Sequence, residues 1–231
     1  MKITTKRIIM SLVTLLALTL NLNSQELIIN DVNKKDTNAL IGVFDTVGLN
    51  NLRQCNLGNK NIEKFNTLVT KKSLVKMKIS KLEYLYFGET IHSVGHIESK
   101  QRSKLIRKHK KLMDLITYQL NKNNKDKAKD VIGVFSHLNI MIEEEYSQYD
   151  KVAVVIASNL RDSIRSKSAR DALKTIELNP KIRLYLLAGS GLSCLKDKVT
   201  SSQRLIAETS LKTYYKQRFP VDSNVVFKTI Y

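Results

Sequence analysis

Short apolar runs alternate along the chain with longer segments whose apolar residues recur every three or four positions. Leu40 to Leu49 is an apolar run interrupted by Asp45. It reads as a buried strand that delivers a carboxylate to its own C-terminal end and then enters a tight turn. Lys151 to Asp162 repeats the form, with the small polar residues Ser158 and Asn159 at its end and Asp162 beyond them. Open α/β sheets place their ligand sites at the carboxyl ends of strands, so the two runs nominate one site.

Between and after these runs the periodicity switches repeatedly. Asn56 to Lys72 predicts a helix, with Ile62, Phe65, Leu68 and Val69 on one face. Val75, Met77 and Ile79 then alternate with polar residues, and Leu82, Tyr84 and Tyr86 resume one step out of phase, which predicts a hairpin at the phase break. Ser99 to Leu120 predicts an amphipathic helix through Leu105, Leu112, Ile116 and Leu120, and Asn121 to Lys129 a polar loop. Val131 to Tyr146 predicts a second long helix through Ile132, Phe135, Leu138, Met141 and Ile142. A helix near Ser168 to Leu178, stopped by Asn179-Pro180, a strand over Ile182 to Leu187, a helix over Ser201 to Phe219 and a strand over Val225 to Ile230 complete the pattern. Strands separated by helices predict a doubly wound α/β domain: a mostly parallel sheet with helices on both faces and one antiparallel edge strand.

The N-terminus has a different composition. Lys2, Lys6 and Arg7 precede an apolar stretch from Ile8 to about Leu22, and Asn23-Ser24-Gln25 follows, the layout of a secretory signal cleaved after Ser24. The apolar stretch is shorter than the roughly 20 residues that a membrane span needs. The expected organisation is a signal over 1–24, a short lead over 25–38 and one domain over 39–231, exported to the periplasm or outside the cell. Membrane attachment follows only if the signal is retained. Cys55 and Cys194 are the two cysteines, and neither lies near the junction to carry a lipid.

Charge narrows the partners. The chain has 39 Lys and Arg against 21 Asp and Glu, a formal net charge of +18, and signal removal takes away only three of the cations. Such a balance favours polyanions. Lys100, Lys104, Arg107, Lys108 and Lys111 cluster on the first long helix as a polyanion candidate, although the near absence of aromatic residues among them argues against base stacking and hence against nucleic acid.

Catalytic signatures are missing from the sequence. There is no P-loop or dinucleotide fingerprint, and Gly189-Ser190-Gly191 lacks the form of a nucleophile elbow. His92 and His96 stand four apart with Gly95 between them, without a cysteine or acid pair to complete a metal set. The expectation is a non-enzymatic binding domain without a cofactor.

A strand ending in Asp-x-x-Gly, then a helix, hairpin and long helix, a helix start at Lys129-Asp130-Val131-Ile132-Gly133, and a strand ending in Ser158-Asn159-Leu160-Arg161-Asp162 together resemble a von Willebrand factor A-type domain over Ala39 to Tyr231. The resemblance implies a divalent-cation site for adhesion, built from Asp-x-Ser-x-Ser, a threonine on a later loop and an aspartate after the fourth strand. Here Asp45 matches the first aspartate, Val47 and Leu49 fall on the serines, Lys129 on the threonine and Asn159 on the later aspartate. Two ligand positions without oxygen furnish a hard dication poorly, and an ammonium about 4 Å from it would add repulsion of roughly 8 kcal/mol at an effective dielectric near 20. The expected arrangement is a degenerate site in which Lys129 takes the place of the cation and pairs with Asp45, with Thr46 and Ser158 supplying hydrogen bonds.

The resulting reading is a protein-binding domain of an envelope or secreted assembly, its partner unidentified. Two alternatives stand beside it: a metal-dependent adhesion module, with Thr46, Ser158 and Asp162 compensating around Mg²⁺ or Mn²⁺, and a basic binder of nucleic acid or an anionic surface. The resemblance also puts the strands before Cys55 and Cys194 two apart, about 10 Å, which favours two free thiols over a disulfide.

Overall fold

The structure, a computed structural model, describes residues 37–53, 57–69, 74, 76–121, 128–161, 175–188 and 200–229. The expected signal, Cys55, Cys194, Asp162 and Gly189-Ser190-Gly191 lie outside them. β1 (Asn38–Asp45) is buried at all eight positions, as the central strand of a sheet covered on both faces must be. It pairs in parallel with β2 (Ile79–Phe87) on one side and β4 (Lys151–Ser158) on the other. β3 (Ile91–Glu98) joins β2 antiparallel, while β5 (Ile182–Ala188) and β6 (Asn224–Thr229) extend the parallel side. The six strands lie in the order β3-β2-β1-β4-β5-β6, a doubly wound α/β arrangement with a mostly parallel sheet and one antiparallel edge strand.

Alternate residues of each strand feed two cores. Ile41, Val43, Val154, Ile156, Leu184 and Leu186 pack with α4 (Val131–Glu145), with Tyr215 of α5 (Ser201–Lys216) and with Phe219 just beyond it. Leu40, Phe44, Val155, Ala157 and Leu187 face the other way, with Leu49 of α1 (Thr46–Arg53), Phe65 of α2 (Leu57–Leu68) and Leu105, Leu112 and Ile116 of α3 (Arg102–Asn121). Phe65 lies over Gly42, where a Cβ would stand 2.7 Å from its ring. Phe44 and Tyr84 meet the Phe65 ring with centroids 4.7 and 5.4 Å away.

Three expectations are corrected. The chain after Asp45 is helical rather than a tight turn. The Asp45 Oδ1 accepts the Gly48 N–H at 2.6 Å, so the last residue of β1 caps the first turn of α1. The hairpin turn falls at Gly88–Thr90, not at the phase break near Ser80, because Lys76 is helical and Met77 and Lys78 form a turn that leads into β2. Residues 175–178 are irregular, so the helix expected to end at Leu178 does not reach that far, and its earlier part lies outside the described residues.

Candidate functional site

The sheet reverses direction of growth between β1 and β4, whose C-terminal ends put Asp45 beside Ser158, with Asn159 the next residue beyond β4. This switch point is where open α/β sheets leave a crevice for ligands. Lys129 arrives from the loop before α4. Its neighbour Asp130 caps that helix by accepting the Gly133 N–H at 2.6 Å, and the Asp130 N–H donates to Gly88 O at 3.1 Å in the β2–β3 turn. Two anchors therefore fix the backbone on which Lys129 stands.

The Lys129 ammonium is 2.5 Å from Asp45 Oδ2 and also donates to Asn159 Oδ1. Ser158 Oγ donates to Asp45 Oδ2 at 2.5 Å and accepts the Leu160 N–H at 2.8 Å, and Arg161 N–H donates to Asn159 Oδ1 at 3.1 Å. Asp45, Lys129, Ser158 and Asn159 are all buried, the lysine only 3 % exposed. Gly48 admits this packing, since a Cβ there would collide with the Asp45 carboxylate and stand 2.6 Å from the Lys129 ammonium. The charges neutralise each other, and each Asp45 oxygen is engaged.

Not every residue expected at the site contributes to it. Thr46 Oγ1 turns away and donates to Phe87 O at 3.0 Å, tying α1 to the end of β2 instead of hydrogen-bonding around Lys129. Val47 and Leu49 bring hydrocarbon. His92 and His96 sit on β3, not on a helix. A register shift opposite Tyr84/Leu85 pairs His92 with Tyr86 and His96 with Glu83, which places the two imidazoles on opposite faces of the sheet. Lys100 lies in the bend before α3 rather than on the helix, and the other basic candidates sit on the outer side of α3, with Lys104, Arg107 and Lys111 exposed, as Lys100 is, and Lys108 half-buried.

Sequence pattern missed three features around the sheet. Leu160 adopts φ +55, a left-handed conformation costly for a branched side chain. Its backbone is held by Ser158 and by Tyr215, whose hydroxyl donates to Leu160 O at 2.8 Å, so α5 braces the loop after β4. On one flank, Glu83 accepts the Tyr146 hydroxyl and Ser93 Oγ at 3.1 Å, with the Lys81 ammonium 3.7 Å from the Tyr146 ring centroid. On the other face, the Tyr84 hydroxyl and His109 Nδ1 are 2.5 Å apart. Burial raises the tyrosine pKa and lowers that of the histidine. Such contacts join residues far apart in sequence and leave no periodic mark.

No family model matches the chain, and no curated protein matches it. Among solved structures, it is similar to proximal thread matrix protein 1 from the mussel byssus, a structure described with a zinc-occupied MIDAS motif. The TM-score is 0.43 at 11% identity, over 86% of this chain and 46% of that one, so the chain spans under half the length of that protein.

Proposed function

We propose that the chain is an exported, non-catalytic protein-binding domain of von Willebrand A type in which an internal ammonium replaces the adhesion cation. The observation that carries this reading is the Lys129 ammonium seated between Asp45 and Asn159 at the switch point. A dication bound to the same oxygens would need about 2.0–2.6 Å to each and six or more ligands. The residues present do not fit it: Val47 and Leu49 offer no oxygen, and the ammonium already stands at that distance from Asp45. Catalysis finds little support either, since the Asp45 carboxylate and Ser158 hydroxyl are committed to each other and to backbone N–H groups. What the arrangement offers is a rigid edge. Arg161, exposed beside the buried pair, supplies a side chain that a partner can reach.

The test is retention of a partner protein on the tagged chain recovered from the cell envelope or medium. The partner should remain bound in chelator and be lost when Lys129→Met loosens the edge. A partner that is retained only with added Mg²⁺ or Mn²⁺ would replace this reading with the metal-dependent adhesion module.

A further inference from the structure

Helix α3 carries the densest charge in the chain. From Lys100 to Lys111 the sequence has seven Lys or Arg residues and no acid. Lys104, Arg107, Lys111, Leu115 and Tyr118 follow one another at steps of three and four, so they form a single stripe about 21 Å long on the helix. The buried residues Leu105, Leu112, Met113, Ile116 and Leu120 occupy the opposite side, and the stripe faces out. Leu115 and Tyr118 are 46% and 60% exposed, and the three cations are exposed as well. Lys108 flanks the stripe, and Lys100 is exposed in the bend before the helix. Among the described residues no carboxylate pairs with Lys104, Arg107 or Lys111, and Asp114, the one acid of this helix, flanks the stripe on the side opposite Lys108, one turn from Lys111 and from Tyr118.

A stripe that is cationic at one end and apolar at the other selects among polyanions. A soluble chain of phosphates or sulfates engages the cations but gains nothing from an exposed leucine. Sequence-reading of a duplex favours the bidentate arginine fork, whereas lysine acts as a point charge, and lysine predominates here. An anionic membrane meets both halves: headgroup phosphates take the cations, and a leucine and a tyrosine suit the boundary between headgroups and acyl chains. The exposed ridge of a helix also fits a plane better than a strand that needs a groove. We propose that the α3 stripe docks the protein on an anionic lipid surface, through Lys104, Arg107 and Lys111 at the phosphates and Leu115 and Tyr118 at the interface. This surface is separate from the Lys129 site, and either reading can fail alone.

The test is co-sedimentation of the full chain with vesicles of phosphatidylcholine alone and of phosphatidylcholine mixed with phosphatidylglycerol, at low and high salt. Binding should require the anionic lipid and weaken with salt. Lys104→Glu/Arg107→Glu/Lys111→Glu should lower the affinity by roughly a hundredfold or more. Leu115→Ser/Tyr118→Ser should weaken binding while leaving its salt dependence in place. All five positions are exposed, and an unchanged melting temperature establishes that the variants are folded. Three results would overturn the proposal: equal binding to both vesicles, vesicle binding indifferent to the triple substitution as an apolar N-terminus alone would give, or binding to heparin that exceeds vesicle binding and ignores the Leu115/Tyr118 variant.

Discussion

Lys129 and Asp45 form a buried pair whose members each need the other. Their Coulomb attraction is offset by the cost of taking both ions out of water, so the pair is a weak source of net stability, but removing one member leaves an uncompensated charge. Lys129→Met, which keeps the hydrocarbon stem, should therefore destabilise the fold by about 3–5 kcal/mol in denaturant unfolding. Adding Asp45→Asn to it should recover part of that loss, and a double variant no better than the single would mean that the pair is not coupled. Gly48→Ala brings a Cβ into the Asp45 carboxylate and should destabilise by about 1–3 kcal/mol, as overpacked sites do. His109 gives the molecule a pH dependence. Its folded pKa lies below the ordinary 6.5 because of burial against Tyr84 and Phe65, so the unfolded chain takes up the proton first as pH falls. Stability present above about pH 6.5 should then be lost progressively below it, and His109→Gln should flatten that decline in melting temperature. A decline of the same steepness in His109→Gln would place its origin elsewhere.

Each element that reaches the site is fixed by a second contact. β1 ends in a residue that is also the cap of α1, which explains how an apolar run with an interior aspartate can be a strand and a helix start at once. The loop before α4 is held by the Asp130 cap and by Gly88 in the hairpin turn. Asp130→Ala should cost about 1 kcal/mol in helix capping alone. It should also let Lys129 move, so the loss of the Lys129→Met variant and that of Asp130→Ala should not add. α5 reaches the loop after β4 through Tyr215, so the hydroxyl-free Tyr215→Phe removes a brace of the left-handed Leu160 as well as a hydrogen bond.

At the scale of the whole molecule, much of the architecture was legible because apolar periodicity is set by burial on two faces. Leu105, Leu112, Ile116 and Leu120 of α3, and Ile132, Phe135, Leu138, Met141 and Ile142 of α4, are buried as their spacing predicts. The inner parallel strands β4 and β5 read as apolar runs for the same reason, and the edge strand β6 does so although its Val225, Val226 and Phe227 are only half-buried. α1 was not legible, because its one strong signal is a cap supplied by the preceding strand. The hairpin was misplaced because Val75 to Ile79 alternates in sequence while Lys76 to Lys78 turn in space. Residues of the site could be named from the order of strand ends, but the turn of Thr46 toward Phe87 and the brace from Tyr215 depend on packing between distant elements. The proposed function puts an internal ammonium where von Willebrand A-type domains bind a cation, and thermal unfolding in millimolar Mg²⁺ and Mn²⁺ tests this most directly. The native chain should show no shift in melting temperature with either ion, whereas the triple variant Val47→Ser/Leu49→Ser/Lys129→Thr should be stabilised by at least one of them. Stabilisation of the native chain by Mg²⁺ that disappears in Asp45→Ala would mean that Asp45 binds the dication and that Lys129 does not replace it.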